Sequence, residues 1–314
     1  MFKNLKSKQN RETAKKIVDS LAVKDPKAIF ESLLKQASGT SKTRKVPCTV
    51  SYQIIAFQGI VDGLGTSTLV ANLAIALADI GLTVCVLDTS VLAPVQDILL
   101  DTSVSKKDFS VDSKQHTWFD MPYIKESPLH ISSYNKNISV LSFKNRDTNI
   151  LGLLTSQDDE SLVELAYQTL EDKFDLILVD CGHELSRVNT ACLQKAHKII
   201  QVWNDSPLVL GNVEEHLANS LILSISPDRM RDVVLSKLHA ENKDKVESIV
   251  KGYKCNVIAY NLLSEEVSRQ AMLGKPLYQL ESKDTNIELY TQCIINIAAS
   301  LIDETNEEEV GGNA

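Results

Sequence analysis

The 314-residue chain has no run of about 18 apolar residues, so no membrane-spanning helix is expected. Its opening stretch, MFKNLKSKQNRETAKK, has lysines with no apolar segment behind them and does not read as a secretory signal. No two of the six cysteines (48, 85, 181, 192, 255 and 293) form a CxxC pair. Several lie in or beside apolar runs, as Cys85 does in TVCVLD. They read as buried, reduced thiols rather than zinc ligands or disulfides. There is no internal repeat, and outside 1–16 and 41–45 there is no basic cluster. The net charge of −8 excludes a surface-wide nucleic-acid binder and leaves room only for a local patch. A cytoplasmic protein is expected, at most peripheral at the inner face of a membrane.

The remaining composition suits a full-sized core, with 43% apolar residues. The length fits one large α/β domain with an extension. Residues 1–50 form a basic extension, with apolar spacing for two short helices (Ile17, Leu21; then Ile29, Phe30, Leu33, Leu34) broken at Asp25-Pro26 and a linker over 38–45. From about 51 to 303 strand and helix patterns alternate, and 304–314 reads as an acidic, frayed tail. The segments IIAF (54–57), VCVLD (84–88), LILVD (176–180), KIIQVW (198–203), VVLSK (233–237) and NVIAY (256–260) read as central strands. Helices are expected over 161–173, 213–225 and 290–304, and loops with short pieces over 101–136. Such alternation gives a doubly wound, mainly parallel sheet with helices on both faces. Ligands of these sheets bind at the carboxyl ends of the strands. The 57–68 turn, Asp88, Asp180 and Asn204 all fall at such ends.

FQGIVDGLGTSTLVANLAIALADIGLTVCVLDTS (57–90) has the layout of a phosphate loop: strand, Gly-rich turn, helix, strand. In such a loop backbone N–H groups and a helix N-terminus hold the phosphates, a lysine neutralises them, and a Ser or Thr hydroxyl holds Mg²⁺. Gly59, Gly63 and Gly65 supply the backbone freedom, and Ser67 or Thr68 the hydroxyl. The lysine position holds Thr66. Asp62 adds negative charge beside it.

Val61–Thr68 resembles the deviant Walker A loop, KGGxGKTT, of the ParA/MinD superfamily. LVANLAIALADIGLTVCVLD resembles that family's first helix and second strand, and FDLILVDCG (174–182) its Walker B strand. RDVVLSKL (231–238) and VIAYNLLSEEVSRQAMLGKPLYQL (257–280) resemble its later segments. The resemblance covers about 51–303 and implies a SIMIBI-type P-loop NTPase fold. It implies ATP or ADP with Mg²⁺ as ligand, contacted by Gly63, Leu64, Gly65, Thr66, Ser67, Thr68, Asp88 and Ser236, with Ser67 and Asp180 on the metal. A loop kept as a ligand-free relic is the other reading. The departures are Val61 for the signature lysine, Thr66 for the Walker lysine, Ser90 for the water-orienting Asp, and Ser236 for the base-side Asn. They imply little or no hydrolysis. The Gly-Leu-Gly-Thr-Ser-Thr form is most similar to the TadZ/CpaE branch, which helps place pilus-assembly machinery.

The expected function is therefore a positioning or scaffold protein for a pilus or secretion machine. A homodimer is expected, with protein partners from a pilus, secretion or partition system. Contact with a membrane surface or DNA would run through the basic N-terminus. An active partition ATPase is the alternative, and it would need a lysine from elsewhere, such as Lys237 or Lys275. A nucleotide-free interaction module is the second alternative. His183 and Glu184 read as a surface turn.

Overall fold

The structure is a computed structural model that describes residues 48–90, 94–102, 129–142, 159–183, 186–274, 276–280 and 284–304. The helices expected in the basic extension, Lys275, Glu184 and residues 305–314 lie outside the described residues. In chain order the elements are β1 (Cys48–Val50), β2 (Ile54–Gly59), α1 (Thr66–Asp79), β3 (Val84–Asp88) and α2 (Gln96–Leu99). Then come β4 (His130–Ile131), β5 (Ile138–Leu141), α3 (Asp159–Glu171), β6 (Leu176–Asp180) and α4 (Arg187–Lys195). The second half holds β7 (Lys198–Trp203), α5 (Pro207–Ile222), β8 (Asp232–Leu238), α6 (Lys243–Gly252) and β9 (Asn256–Leu262). It closes with α7 (Glu265–Met272), α8 (Thr285–Ala299) and β10 (Ile302–Glu304).

Eight strands form one sheet in the order β4-β5-β3-β6-β2-β7-β8-β9. All pair in parallel except β4, which runs antiparallel to β5. Successive side chains alternate between faces, so each strand serves two cores. Ile55 and Phe57 of β2 pack with α1 and α8, while Ile54 and Ala56 pack against α3 and α4 on the other face. Leu176 and Leu178 of β6 divide from Ile177 and Val179 in the same way. That division makes the sheet doubly wound. α1 is buried nearly all round, which explains its run of small Ala residues under α8.

Three expectations change. NVIAY is not central: it lies in β9, at the sheet edge, and its burial is correspondingly partial. The helix expected at 213–225 starts earlier, at Pro207, because the Ser206 hydroxyl caps it at Val209 N and Pro suits the first turn. The closing helix stops at Ala299, and Ile302–Glu304 instead pairs antiparallel with Cys48–Val50. Strand β4 and the Thr102–Ser132 bridge are short pieces of the kind expected in the polar stretch. The helices α4, α6 and α7 carry polar faces that obscured their periodicity. Five cysteines, 85, 181, 192, 255 and 293, are buried free thiols. No helix among the described residues is long and apolar enough to cross a membrane.

Leu178 in β6 is fully buried between neighbouring strands. Leu178→Ala is expected to lower the unfolding free energy by about 3 kcal/mol in a urea titration, through lost transfer energy and a cavity.

Candidate functional site

The chain winds to one side of β2 for β3, β5 and β6, and to the other for β7, β8 and β9. This is the switch point at which loops part and leave a crevice. β2 ends there at Gly59. A Cβ on Gly59 would sit 3.0 Å from the Val61 carbonyl and 3.1 Å from the Thr66 hydroxyl, so glycine is required for the loop to fold back on the strand. Thr66, at the lysine position, is thus buried against β2 rather than extended into the cradle.

Gly63 and Gly65 take left-handed φ values of 77° and 84°, which turn the backbone into α1. Gly65 caps α1 without a side chain, and the first turn carries no acid. Ser186, Ser206, Ser264 and Asp284 instead cap α4, α5, α7 and α8 with side-chain acceptors. The first N–H groups of α1 therefore keep their affinity for an anion, reinforced by the helix dipole. One loop donor is taken: Gly63 N–H donates to the Asp62 carboxylate at 2.7 Å.

The parallel register sets Asp88 of β3 level with Asp180 of β6. Both are buried. Asp88 accepts from the N–H groups of Ser90 (3.0 Å), Val95 (2.7 Å) and Gln96 (2.9 Å), so it also shapes the turn into α2. Asp180 accepts from the Gln96 amide at 2.7 Å, and the Ser67 hydroxyl hydrogen-bonds to it. The Gln96 amide also donates to the Ser67 carbonyl at 3.0 Å. Burial first, then the Asp180 charge, push Asp88 up to about 7 against the three N–H groups. Burial likewise raises Asp180, opposed by Ser67, Gln96 and Gly182. The Gln96 Oε1 atom is buried with no partner beside this pair. Two adjacent buried acids, a hydroxyl on one of them and an orphaned carbonyl suit a hard divalent cation. The uncapped α1 suits its phosphate.

Ser67 and Asp180 are brought together as the sequence suggests, with Asp88 adjacent. Ser236 lies behind the loop: its hydroxyl donates to the Leu64 carbonyl at 2.8 Å. Ser90 sits in the turn after Asp88. Asn204 accepts from Ser206 N–H at 3.0 Å and so belongs to the turn into α5. His183 is exposed after β6. Sequence reading missed Gln96. Its signal is Pro94 two residues ahead and Asp97 just behind, the marks of a helix start.

Strand, left-handed glycine turn, uncapped helix and paired carboxylates at the switch point define a P-loop fold of the ParA/MinD superfamily. A ParA family ATPase from Chlorobium tepidum TLS superposes with a TM-score of 0.64 at 15% identity, over 80% of this chain and 100% of that one. MinD of Pyrococcus horikoshii OT3, complexed with Mg-ADP, gives 0.60 at 17%, over 78% and 94%. MinD in the MinC:MinD complex of Aquifex aeolicus gives 0.59 at 18%, over 79% and 95%. No curated protein matches the sequence. The profile of the family described as cellulose biosynthesis protein BcsQ matches residues 52–210, half of the chain, and the chain belongs to that family.

A carboxyl with a raised native pKa keeps its proton longer folded than unfolded. Stability is then fully present below the unfolded value, near pH 4, and is lost as pH rises through about 7. Without divalent cations, the thermal midpoint is expected to fall between pH 5 and 8. Asp180→Asn, which removes the neighbouring charge, is expected to reduce that slope in the same melting series.

Proposed function

We propose that this chain is a nucleotide-holding positioning or scaffold protein, binding ATP or ADP with Mg²⁺ weakly and hydrolysing it little or not at all. The carrying observation is the uncapped start of α1 at a left-handed Gly65, in a loop with no lysine of its own. Leu64, Gly65, Thr66, Ser67 and Thr68 would take the phosphates through backbone N–H groups. Ser67 and Asp180 would hold Mg²⁺, which supplies the counter-charge to the phosphates, and Asp88 would support them. The Mg-ADP complex of the Pyrococcus relative supports this ligand class. The MinC:MinD complex supports a partner protein as the output.

The reading extends to a cytoplasmic homodimer, at most peripheral at the inner face of the membrane. It comprises a P-loop domain over 51–303, a recruiting basic extension over 1–50 that meets anionic lipid or DNA, and an acidic tail over 304–314. The family description favours a cellulose-synthesis machine as the partner, and the TadZ/CpaE-like loop favours a pilus machine. Affinity capture with the full chain as bait separates the two by which membrane components co-purify. A second reading, an active partition ATPase, draws on Lys237, whose ammonium reaches the loop.

Phosphate release with Mg-ATP is expected near background, because Val61, Thr66 and Ser90 supply neither cation nor water-orienting carboxylate. Brisk release abolished by Asp180→Ala would favour the active ATPase. Losing one charge-assisted contact costs about 1.5–3 kcal/mol, about one to two decades of affinity, so calorimetry is expected to find weak ATP binding. Absence of heat and of thermal shift at millimolar ATP would leave a nucleotide-free module. Asp62→Ala frees the Gly63 N–H and removes a like charge, and is expected to tighten ATP binding severalfold in the same titration.

A further inference from the structure

A cation does reach the loop, from the other half of the chain. Lys237, near the end of β8, donates from Nζ to the Gly63 carbonyl at 2.5 Å. Its stem runs along the mouth of the turn, with Cε 3.5 Å from where a Gly65 side chain would begin. Next to it, the Ser236 hydroxyl holds the Leu64 carbonyl. Two consecutive loop carbonyls are thus drawn toward β8. In a trans peptide unit C=O and N–H point in opposite directions. Holding the Gly63 and Leu64 carbonyls against β8 therefore aims the Leu64 and Gly65 N–H groups away from it, into the cradle.

The backbone is distorted to deliver this side chain. Lys237 has φ of 55°, a left-handed value rare for a residue with a Cβ. The β8–β9 ladder breaks register between Leu235 and Leu238 to accommodate it. Asn261 of β9 stabilises the distortion: its carbonyl accepts Lys237 N–H at 3.1 Å and its amide approaches the Ser236 hydroxyl at 3.3 Å. Asn261 is buried, and its amide also faces the Cys293 thiol of α8 at 3.9 Å. Strain maintained by a buried, fully used side chain points to a role for what the strain presents.

We propose that Lys237 is the positioning lysine of this phosphate loop, entering from β8 to fix the Gly63 carbonyl and so preset the amide donors for a nucleotide's phosphates. The assignment rests on the nucleotide-holding reading above. It extends that reading by naming a residue in a strand far from the loop in sequence.

The test compares Lys237→Met, which keeps the stem and removes the ammonium, with Lys237→Arg, which keeps a cation and a donor. Two readouts are taken on the full chain. Amide hydrogen exchange of the loop peptide, without nucleotide, is expected to quicken in Lys237→Met and to return toward wild type in Lys237→Arg. ATP affinity by calorimetry is expected to drop about tenfold in Lys237→Met, because binding must then order a loop that is no longer preset, and to recover in Lys237→Arg. The unliganded melting temperature should stay near wild type in both, because the contact is exposed. Unchanged loop exchange in Lys237→Met overturns the clamp whether or not nucleotide binds. Quickened exchange with unchanged ATP affinity overturns its role in phosphate binding. Quickened exchange in Lys237→Met, together with a wild-type protein that takes no ATP, supports the clamp and removes the nucleotide-holding reading.

Discussion

β2 is hydrogen-bonded on both sides to strands running in its own direction, and its register leaves no freedom at its carboxyl end. Phe57 stands level with Asp180 on one side and Ile200 on the other. The chain must turn away within a few residues into a helix that packs back over the sheet. The Gly59 N–H meets the Gly182 carbonyl at 2.8 Å, so the loop after β2 and the turn after β6 are fastened at their roots. The Asp88–Asp180 pair, the uncapped start of α1 and the contacts from β8 all follow from four strands, β3, β6, β2 and β8, ending around this point.

Charge in the site is spread over elements distant in sequence. The loop itself contributes dipoles and one acid, Asp62. Two buried acids come from β3 and β6, a cation from β8, and the amide that ties Asp180 to the Ser67 carbonyl of α1 from Gln96 at the start of α2. Each contributor is anchored by backbone bonds of its own: Asp88 by three N–H groups, Lys237 by Asn261. The charges around the loop are therefore held in place by the fold itself, an arrangement that would reduce the reorganisation needed by the proposed nucleotide. The Thr66 side chain is buried with its hydroxyl near Gly59, so it packs the loop against β2.

The sheet was legible because its strands are unbroken apolar runs, which only two-sided burial tolerates. The loop was legible from Gly63 and Gly65, whose left-handed backbone leaves glycine as the natural choice. Ser67 and Asp180 followed from motif order. The rest depended on information that spacing does not carry. The place of β9 at the edge is a matter of strand order, which no local pattern encodes. The approach of Lys237 to the loop goes with a left-handed backbone that is hydrogen-bonded by Asn261, in the next strand over. Gln96 sits in a one-turn helix too short to show a period. Polar surface helices such as α6 and α7 carry too few apolar residues to stand out.

The small pair of β1 with β10 has a mechanical meaning. The strands run antiparallel with Cys48 opposite Glu304, so the chain enters and leaves this pair at the same end. Tension applied through the flanking segments would open it like a zipper, one hydrogen bond after another. The next link inward, Ser51 N–H to the Leu301 carbonyl at 3.1 Å, would be loaded in the same way. The eight-stranded sheet would feel force only after this pair had parted. A pull between the two flanks would thus be absorbed first at this clasp, leaving the loop after β2 undisturbed.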